Sequence, residues 1–374
     1  MKRYSSTLLN AVDNLIVSAF YKKRYIGEYV NLFRKRKLIK SVTLTKEQKQ
    51  SIDLLWKENY GSRIPYYWHR LYAAYTGVVD INYFPEIFYS TNLERKYNDF
   101  EVALCSEDKS QIDLLLRPLG GGNYTIPQIA SNVRDRYFDH SHQLISREEA
   151  VRLLSEAGKC IIKPSVDSDS GRGVRVLILE NGKDVKTNQG IEEVLASYQK
   201  DYLIQQFVKV HESIKTLNPS SVNTFRIVTY ICNSKVFHSP LAMRIGAGDA
   251  EVDNIHAGGL VIGVSDSGVL NEYAFSEYGK KVYQHPTSGI TFKGYKIPNV
   301  QNAINLVEQM HLMVPRLTFI SWDVTIQENG EPVIIEMNTR NQSAWFPQMV
   351  NGKSLFEKNT KEMIRMINKK RNRF

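Results

Sequence analysis

Three oxygen-bearing side chains towards the carboxyl end of the chain are spaced as ligands of a hard metal ion. The chain around them reads as two apolar strands joined by a turn at Asn329-Gly330, which is a strong hairpin signal. Asp323 lies on the first strand, and Glu336 and Asn338 lie two apart on the second, on one face. This pattern predicts a site for Mg²⁺ or Mn²⁺, completed by water and nucleotide phosphates. The alternative is a surface hairpin with solvated acids.

A lysine near the end of a short apolar strand precedes a loop rich in serine and glycine. The strand covers residues 160–165 and includes Lys163, and the loop contains Ser170, Gly171 and Gly173. Such a loop can donate backbone N–H groups to phosphates, and the lysine adds a positive charge. No Gly-Lys-Ser/Thr follows, and the loop leads into a strand, so it is neither a Walker A loop nor a Rossmann fingerprint. The pattern predicts phosphate binding, and the alternative is a mobile turn.

A third segment is an apolar strand that contains Gln205, Gln206, Phe207 and Val208, with Glu212 shortly after it. A strand at a hinge can read the edge of adenine through its open backbone groups. Glu212 could accept hydrogen bonds from the ribose hydroxyls. These five residues are therefore predicted to contact a nucleoside, and the alternative is an ordinary core strand.

Taken in chain order, these segments resemble the ATP-grasp superfamily. More narrowly, the chain resembles the sugar-transfer-associated, glutamate-ligase-related branch found in bacterial polysaccharide gene clusters. The resemblance covers roughly residues 60 to 360 and is carried by Asp108-Lys109, residues 220–229, Asp253-Asn254, Gly258-Gly259, His285-Pro286 and Trp322-Asp323.

The resemblance implies an α+β class and an ATP-grasp fold, in which two β-rich lobes clasp ATP beside a helical N-terminal extension. It implies ATP and Mg²⁺ or Mn²⁺ as cofactors, with Lys109 approaching the phosphates beside Lys163. Many members carry acids in the hinge strand where this chain has Gln205 and Gln206. Adenine is then expected to be read by backbone groups and amide side chains.

The expected organisation follows from these placements and from local helix signals. Thr45 opens a capping box, residues 81–104 are expected to be extended or looping, and Ser106 is expected to cap a helix that runs to Leu116. The predicted regions are a basic helical N-terminal extension (1–60), a pre-ATP-grasp-like region (61–158), a small lobe with the glycine loop (159–208) and a large lobe with the metal site and a C-terminal helix (209–374).

Three arginines are candidates for contact with the reacting groups. Arg226 and Arg244 lie within predicted apolar strands, where a charge needs a partner. They are expected to bind the γ-phosphate, an acceptor carboxylate or an acyl phosphate, and the alternative is a structural ion pair. Arg340 lies in the polar loop that leaves the metal hairpin and is the third candidate.

The composition of the chain indicates its number of lobes, its cellular location and the kind of surface that it binds. The chain has 374 residues, of which 42% are hydrophobic, so more than one lobe is expected. Three dispersed cysteines and the lack of a long apolar run favour the cytoplasm, either free or peripheral at the inner face of the membrane. Residues 1–50 hold 12 Lys and Arg against 3 Asp and Glu, and residues 361–374 hold 6 against 1. These basic ends predict attraction to an anionic membrane surface and no nucleic acid; the alternative is that they are merely solvated.

The combined interpretation is an ATP-dependent carboxylate–amine ligase that forms an amide through an acyl phosphate. By resemblance, its partners are an amino acid or amine and a sugar carboxylate in surface polysaccharide or capsule assembly. Two alternatives stay open: a phosphotransferase acting on a sugar or lipid-linked sugar, and a non-catalytic peripheral membrane protein with a vestigial nucleotide fold. Neither substrate nor oligomeric state follows from the sequence.

Overall fold

The computed structural model describes residues 2–116, 124–168, 171–249, 253, 255 and 258–368. Its α-helices are α1 (Lys2–Arg34), α2 (Arg36–Ser41), α3 (Lys46–Tyr60), α4 (Tyr67–Thr76), α5 (Glu86–Phe88), α6 (Glu94–Tyr97), α7 (Phe100–Ser106), α8 (Ile112–Leu116), α9 (Arg147–Glu156), α10 (Ile191–Tyr198), α11 (Glu212–Lys215), α12 (Val300–His311), α13 (Trp345–Asn351) and α14 (Thr360–Asn368). A π-helical turn (Tyr89–Leu93) joins α5 to α6, and a 3₁₀ turn (Glu357–Asn359) precedes α14.

The strands form two antiparallel sheets within the described residues. They are β1 (Gln128–Val133), β2 (Arg136–Asp139), β3 (Leu144–Ile145), β4 (Lys159–Pro164), β5 (Arg175–Glu180), β6 (Lys183–Asp184), β7 (Tyr202–Gln206), β8 (Thr224–Cys232), β9 (Lys235–His238), β10 (Leu241–Ile245), β11 (Leu260–Val264), β12 (Ala274–Phe275), β13 (Lys281–Val282), β14 (Phe319–Ile326) and β15 (Pro332–Asn338).

The smaller sheet has the strand order β3-β2-β1-β7-β4-β5-β6. Apolar side chains on one of its faces pack with α9 and α10 into a separate core that includes Ile162, Leu154 and Leu195. Successive side chains of a strand point to opposite faces, so the other face is left for a different surface. Strands β1 to β3 precede the predicted start of the small lobe at residue 159 and belong to this same sheet. The four-region division of the chain stays a prediction.

The larger sheet has the order β13-β12-β11-β10-β8-β14-β15, with β9 pairing with β8 off that path. Helix α12 packs on one face, where Trp322 and Met337 are fully or almost fully buried. Helices from both ends of the chain cover parts of the sheet from other sides, including α3 and α14 in one core and α4 and α13 in another. The N-terminal helices are therefore part of the packed body.

Local predictions had mixed outcomes. The capping box of α3 is confirmed, because Thr45 Oγ1 accepts from Gln48 N and Gln48 Oε1 accepts from Thr45 N. The extended or looping character expected for residues 81–104 is wrong, since this segment is largely helical. Burial of large side chains such as Tyr89 and Leu93 against the large sheet stabilises the helical state of this segment. Ser106 ends α7 and caps no helix; the N-cap of α7 is Asp99.

In the part of the chain that the structure describes, no helix combines the length and apolar character needed to cross a bilayer.

Candidate functional site

A cavity of about 550 Å³ lies between the two sheets and extends to the N-terminal helices. Its walls include one face of β4 and β7, one face of β8, β10, β14 and β15, and residues of α1 and α4. Ten of the predicted site residues line it: Lys109, Lys163, Gly171, Gln205, Val208, Arg226, Arg244, Asp323, Glu336 and Asn338.

The small sheet contributes a lysine that is buried without a partner among the described residues. Ile161 on β4 pairs with Gln205 on β7, so Ile161, Lys163 and Gln205 share one face, and all three line the cavity. Lys163 is 8% exposed, and no described residue forms a hydrogen bond or ion pair with its ammonium group. Burial lowers the pKa of Lys163 to about 8, and the negative charge of Glu336 opposes that shift. A buried unpaired cation is costly, so this arrangement favours an anionic ligand.

Gln205 also has an unsatisfied polar atom. Its Nε2 donates to the Ile126 carbonyl at 3.2 Å, whereas its buried Oε1 receives no hydrogen bond from the described residues. A buried acceptor without a donor costs about 1–3 kcal/mol unless a ligand or water satisfies it. This end of the cavity, which Val208 also lines, can therefore accept a hydrogen bond from a ligand amino group.

The large sheet contributes a row of alternating charge. Asp323 on β14 lies directly across from Arg226 on β8 and from Glu336 on β15. Arg226 Nε and Nη2 lie 2.6 and 3.1 Å from the two Asp323 oxygens, and Arg244 Nη2 lies 3.0 Å from Oδ2. Burial alone would raise the pKa of Asp323, but the two guanidinium groups outweigh it and hold the pKa below its usual value. Asp323 is thus an ionised anchor for both arginines.

A second buried acid completes the partners of Arg244. The Arg244 guanidinium donates to Thr224 Oγ1 and lies 3.4 Å from Asp253 Oδ1. The Thr224 hydroxyl in turn donates to Asp253 Oδ2 at 2.5 Å. Burial raises the pKa of Asp253, although Arg244 and the Thr224 hydroxyl oppose the shift. The neighbouring Asn254 lies outside the described residues. Because both arginines are held by acids, their positions at the cavity are fixed before any ligand binds.

Glu336 and Asn338 are the two predicted metal ligands that keep free oxygen atoms. The Glu336 side chain is 30% exposed, and its ion pair is with Lys109 at 3.2 Å. The Asn338 amide nitrogen donates to the Ser321 carbonyl at 3.3 Å, and none of the described residues donates to its Oδ1. In the described ranges, no group of three or more His, Cys, Asp or Glu side chains is placed to hold a metal ion. This set fits a Mg²⁺ whose other ligands are phosphate and water. Ligation by Asp323 stays a prediction.

The glycine loop reaches the cavity at one end. Gly171 lines it with φ of +75°, and Lys109 Nζ contacts the Ser168 carbonyl at 3.2 Å, which ties Lys109 to the start of the loop. Ser170 lies outside the described residues. A Cβ on Gly173 would lie 2.9 Å from the Pro164 ring, and φ of +75° adds strain, so glycine is required there for packing.

Other predicted site residues do not line the cavity. Gln206 is exposed, and the Phe207 ring is covered by the Lys159 ammonium at 3.6 Å. The Glu212 side chain is 77% exposed and pairs with Lys215 at 3.7 Å. Arg340 is paired with Glu107, which accepts from its backbone N–H and its guanidinium. The structure therefore brings together the phosphate-binding and metal-binding candidates, but not Arg340 or Glu212.

The sequence interpretation missed the residues at the far end of the cavity. Arg24, Glu28 and Lys35 line it from the first helical segment, together with Glu86 and Trp345. Arg24, Glu28 and Lys35 follow a spacing of four and seven residues, which places them on one helix face. That spacing was the available signal, but nothing in the sequence alone says what this face contacts.

The sugar-transfer associated ATP-grasp family matches residues 89–363, well over half of the chain. The chain belongs to this family. The expected α+β class and ATP-grasp fold are confirmed, and the described residues form two antiparallel sheets and a helical N-terminal region. The matched range begins after α1 to α5, so the far end of the cavity is partly built by residues outside it.

Several solved structures resemble this chain distantly. The biotin carboxylase domain of Hydrogenobacter thermophilus 2-oxoglutarate carboxylase is 16% identical over 72% of this chain and 47% of its own, with a TM-score of 0.40. The D-alanine–D-alanine ligase of Coxiella burnetii is 11% identical over 72% of this chain and 59% of its own, with a TM-score of 0.41. The chain thus spans about half the length of these proteins. No curated protein sequence matches it.

Proposed function

We propose that this protein is an ATP-dependent ligase that joins a carboxylate to an amine. The observation that carries the proposal is the buried ammonium of Lys163, which has no partner among the described residues and lines a cavity between two sheets beside a fixed row of charged residues. A fold retains such a group at a cost in stability, and that cost is offset when an anion binds. The triphosphate of ATP is the anion that the family relationship suggests.

The nucleotide would lie along the small sheet. Gln205 Oε1 would accept from the adenine amino group, with Val208 beside the ring. Lys163 and Lys109 would hold the phosphates, and the glycine loop would exclude water. Mg²⁺, held by Glu336 and Asn338, would neutralise charge on the phosphates when bound.

The chemistry would take place at the arginine row. Arg226 and Arg244 would bind the substrate carboxylate and orient one of its oxygens towards the γ-phosphorus. A new O–P bond forms as the bond to ADP breaks, which gives an acyl phosphate. The amine then attacks the acyl carbon, forms the C–N bond and releases phosphate, and the amine proton leaves to solvent. Positioning and charge stabilisation supply the catalysis, so no nucleophilic side chain is required.

The finer assignment is an amide between an amino acid or amine and a sugar carboxylate in surface polysaccharide assembly, inside the cell. Its support is the sugar-transfer association in the family description. Arg340 would contact the reacting groups, for which it would have to break its ion pair with Glu107. Glu212 would accept hydrogen bonds from the ribose.

The test is ATP turnover against a panel of uronic acids and amino acids, with products identified by mass. A ligase releases phosphate only when both a carboxylate and an amine are present, and the organic product gains the mass of an amide. A sugar phosphate formed without an amine would show a phosphotransferase instead. If no carboxylate–amine pair of the panel supports ATP turnover, although Mg-ATP raises the melting temperature of the protein, the ligase proposal is refuted. Only nucleotide binding would then be supported.

A further inference from the structure

The far end of the cavity contains polar groups that the proposed ATP site does not use. It is lined by Trp68, Tyr72 and Trp345, with Lys35 and Arg24 from the N-terminal helical segment. Apart from Trp345, these residues lie outside the range matched by the family. This end, which the five residues define, is called the N-terminal subsite below.

Lys35 is the available cation of the subsite. It is half-buried at the junction of α1 and α2, and its Nζ lies 3.5 Å from the centroid of the Trp345 ring. No described residue forms an ion pair or hydrogen bond with that ammonium. Burial lowers the pKa of Lys35 to about 8, and the charges of Glu277, Glu28 and Glu86 oppose the shift. A cation over an aromatic face keeps a free hemisphere for an anion.

The neighbouring groups are already paired or are buried without partners. Arg24 lies 3.3 Å from both Glu28 and Glu86 and donates to the Gln342 carbonyl at 3.0 Å, but its buried Nε has no partner among the described residues. The Tyr72 side chain is fully buried, and its hydroxyl finds no acceptor within the described ranges. Burial raises the pKa of both Glu28 and Glu86, which reduces their negative charge near Lys35, whereas Glu277, which also lines the cavity, is the acid whose charge acts most strongly on Lys35.

We propose that the N-terminal subsite binds the anionic group of a sugar substrate, a carboxylate or a phosphate, with Lys35 as its counter-ion. The inference rests on the proposed function, since it assigns the second substrate to the part of the same cavity that the nucleotide leaves free. Aromatic side chains with a few placed polar groups are the usual composition of such a pocket. The helices that precede the family match would then determine which sugar this member accepts.

Calorimetric titration of the full chain with D-glucuronate, glucose 1-phosphate and D-glucose tests the subsite, with and without Mg-AMPPNP. At least one acidic sugar should bind at least about tenfold more tightly than glucose, and which of the two acids binds identifies the anion. Lys35→Met should weaken that binding about tenfold or more and leave Mg-AMPPNP affinity unchanged. Lys37→Met is the matched control, because Lys37 is exposed two residues away.

Failure of the inference is distinguishable from failure of the proposed function. If neither acid binds, or if Lys35→Met and Lys37→Met bind the acid equally well, the subsite is refuted even where Mg-AMPPNP binds. If Mg-AMPPNP does not bind the parent, the proposed function fails, and the titrations of the nucleotide-free chain still decide the subsite.

A different observation concerns the outward face of α1. Five large side chains on it are well exposed, at a spacing that follows the helix: Tyr25, Ile26, Tyr29, Val30 and Phe33. Exposed basic residues flank them: Lys22, Lys23, Arg34, Arg36 and Lys37. The basic residues near the end of the chain, Lys369, Lys370 and Arg371, lie outside the described residues.

We infer that this face lies on an anionic lipid surface. An apolar stripe bordered by Lys and Arg is the pattern of a helix that rests in a membrane interface. Each basic residue near an anionic leaflet contributes about 1 kcal/mol. A second copy of the chain is less suited to bind this face. Residues 1–50 carry 12 basic against 3 acidic side chains, so the N-terminal segments of two copies would repel each other.

Co-sedimentation of the full chain with vesicles tests this surface. Vesicles that contain phosphatidylglycerol should bind the parent, and pure phosphatidylcholine vesicles should bind it at least about fivefold less. Phe33→Ser should reduce binding several-fold, whereas Leu144→Ser should not, although these side chains are similarly exposed, at 66% and 68%. Equal binding by both variants refutes the inference. The inference is also refuted if light scattering shows that the parent is a dimer and that the Phe33→Ser variant is a monomer.

Discussion

Asp323→Asn separates two roles for the acid at the centre of the charged row. Asp323 is 1% exposed and meets nitrogens of Arg226 at 2.6 and 3.1 Å and of Arg244 at 3.0 Å. Removing one partner of a buried ion pair costs about 3–5 kcal/mol, because the remaining charge is left unpaired. Asparagine keeps one acceptor oxygen, so we expect the free energy of unfolding to fall by about 3 kcal/mol, which for a chain of 374 residues is about 4 °C in melting temperature.

The assay is scanning calorimetry of the nucleotide-free protein in EDTA. Glu336→Gln is the matched control, since Glu336 lies across from Asp323 on the neighbouring strand but is partly exposed. The free energy of unfolding of Glu336→Gln should fall by less than about 1 kcal/mol, as for other partly exposed ion pairs. If the two variants lose the same stability, Asp323 does not anchor the arginines, and a role confined to the metal would explain the site better.

Three further outcomes are expected. Lys163→Met should raise the melting temperature of the nucleotide-free protein, because it removes a buried charge that no described residue pairs. It should also abolish the stabilisation by millimolar Mg-ATP, and calorimetry that still shows that stabilisation would count against the site. Glu336→Gln should keep the fold but lower ADP formation at least about tenfold, and the parent rate would exclude it as a metal ligand. Burial lowers the pKa of His69 from 6.5 to about 4, so its stabilising contribution is complete above pH 6.5 and is lost as the pH falls towards 4. Chemical denaturation at pH 7 and pH 5 should show a loss about 2 kcal/mol smaller in His69→Leu than in the parent, and equal losses would contradict this pKa.

The parts of the fold that depend on neighbouring residues were predictable from the sequence. The Asn329-Gly330 turn predicts the hairpin of β14 and β15, whereas the pairing of Asp323 with Glu336 also depends on a β-bulge between Asp323 and Val324 that shifts the register by one residue. Alternation along β4 places Lys163 away from the α9 and α10 core. The hairpin needs only a short-range turn signal, and the orientation of Lys163 follows from the two-residue period of a strand, but neither signal predicts the bulge.

The features that depend on distant packing were not predictable. Arg226 meets Asp323 because β8 and β14 are neighbours in the sheet, although 97 residues separate them in the chain. The helical state of residues 81–104 comes from burial against the large sheet, and α1 reaches the cavity only because the N-terminal helices pack on that sheet. No local pattern encodes these contacts, since each depends on the relative placement of complete elements.

Oxygen transfer from the carboxylate to phosphate is the most direct measurement of the proposed reaction. Full-length protein is incubated with Mg-ATP, an amine and a uronic acid whose carboxylate carries ¹⁸O, and the released phosphate is analysed by mass spectrometry. If the carboxylate attacks the γ-phosphorus, each released phosphate should carry one carboxylate oxygen. Phosphate that is released without the label, or that remains bound to a sugar hydroxyl, would contradict the ligase.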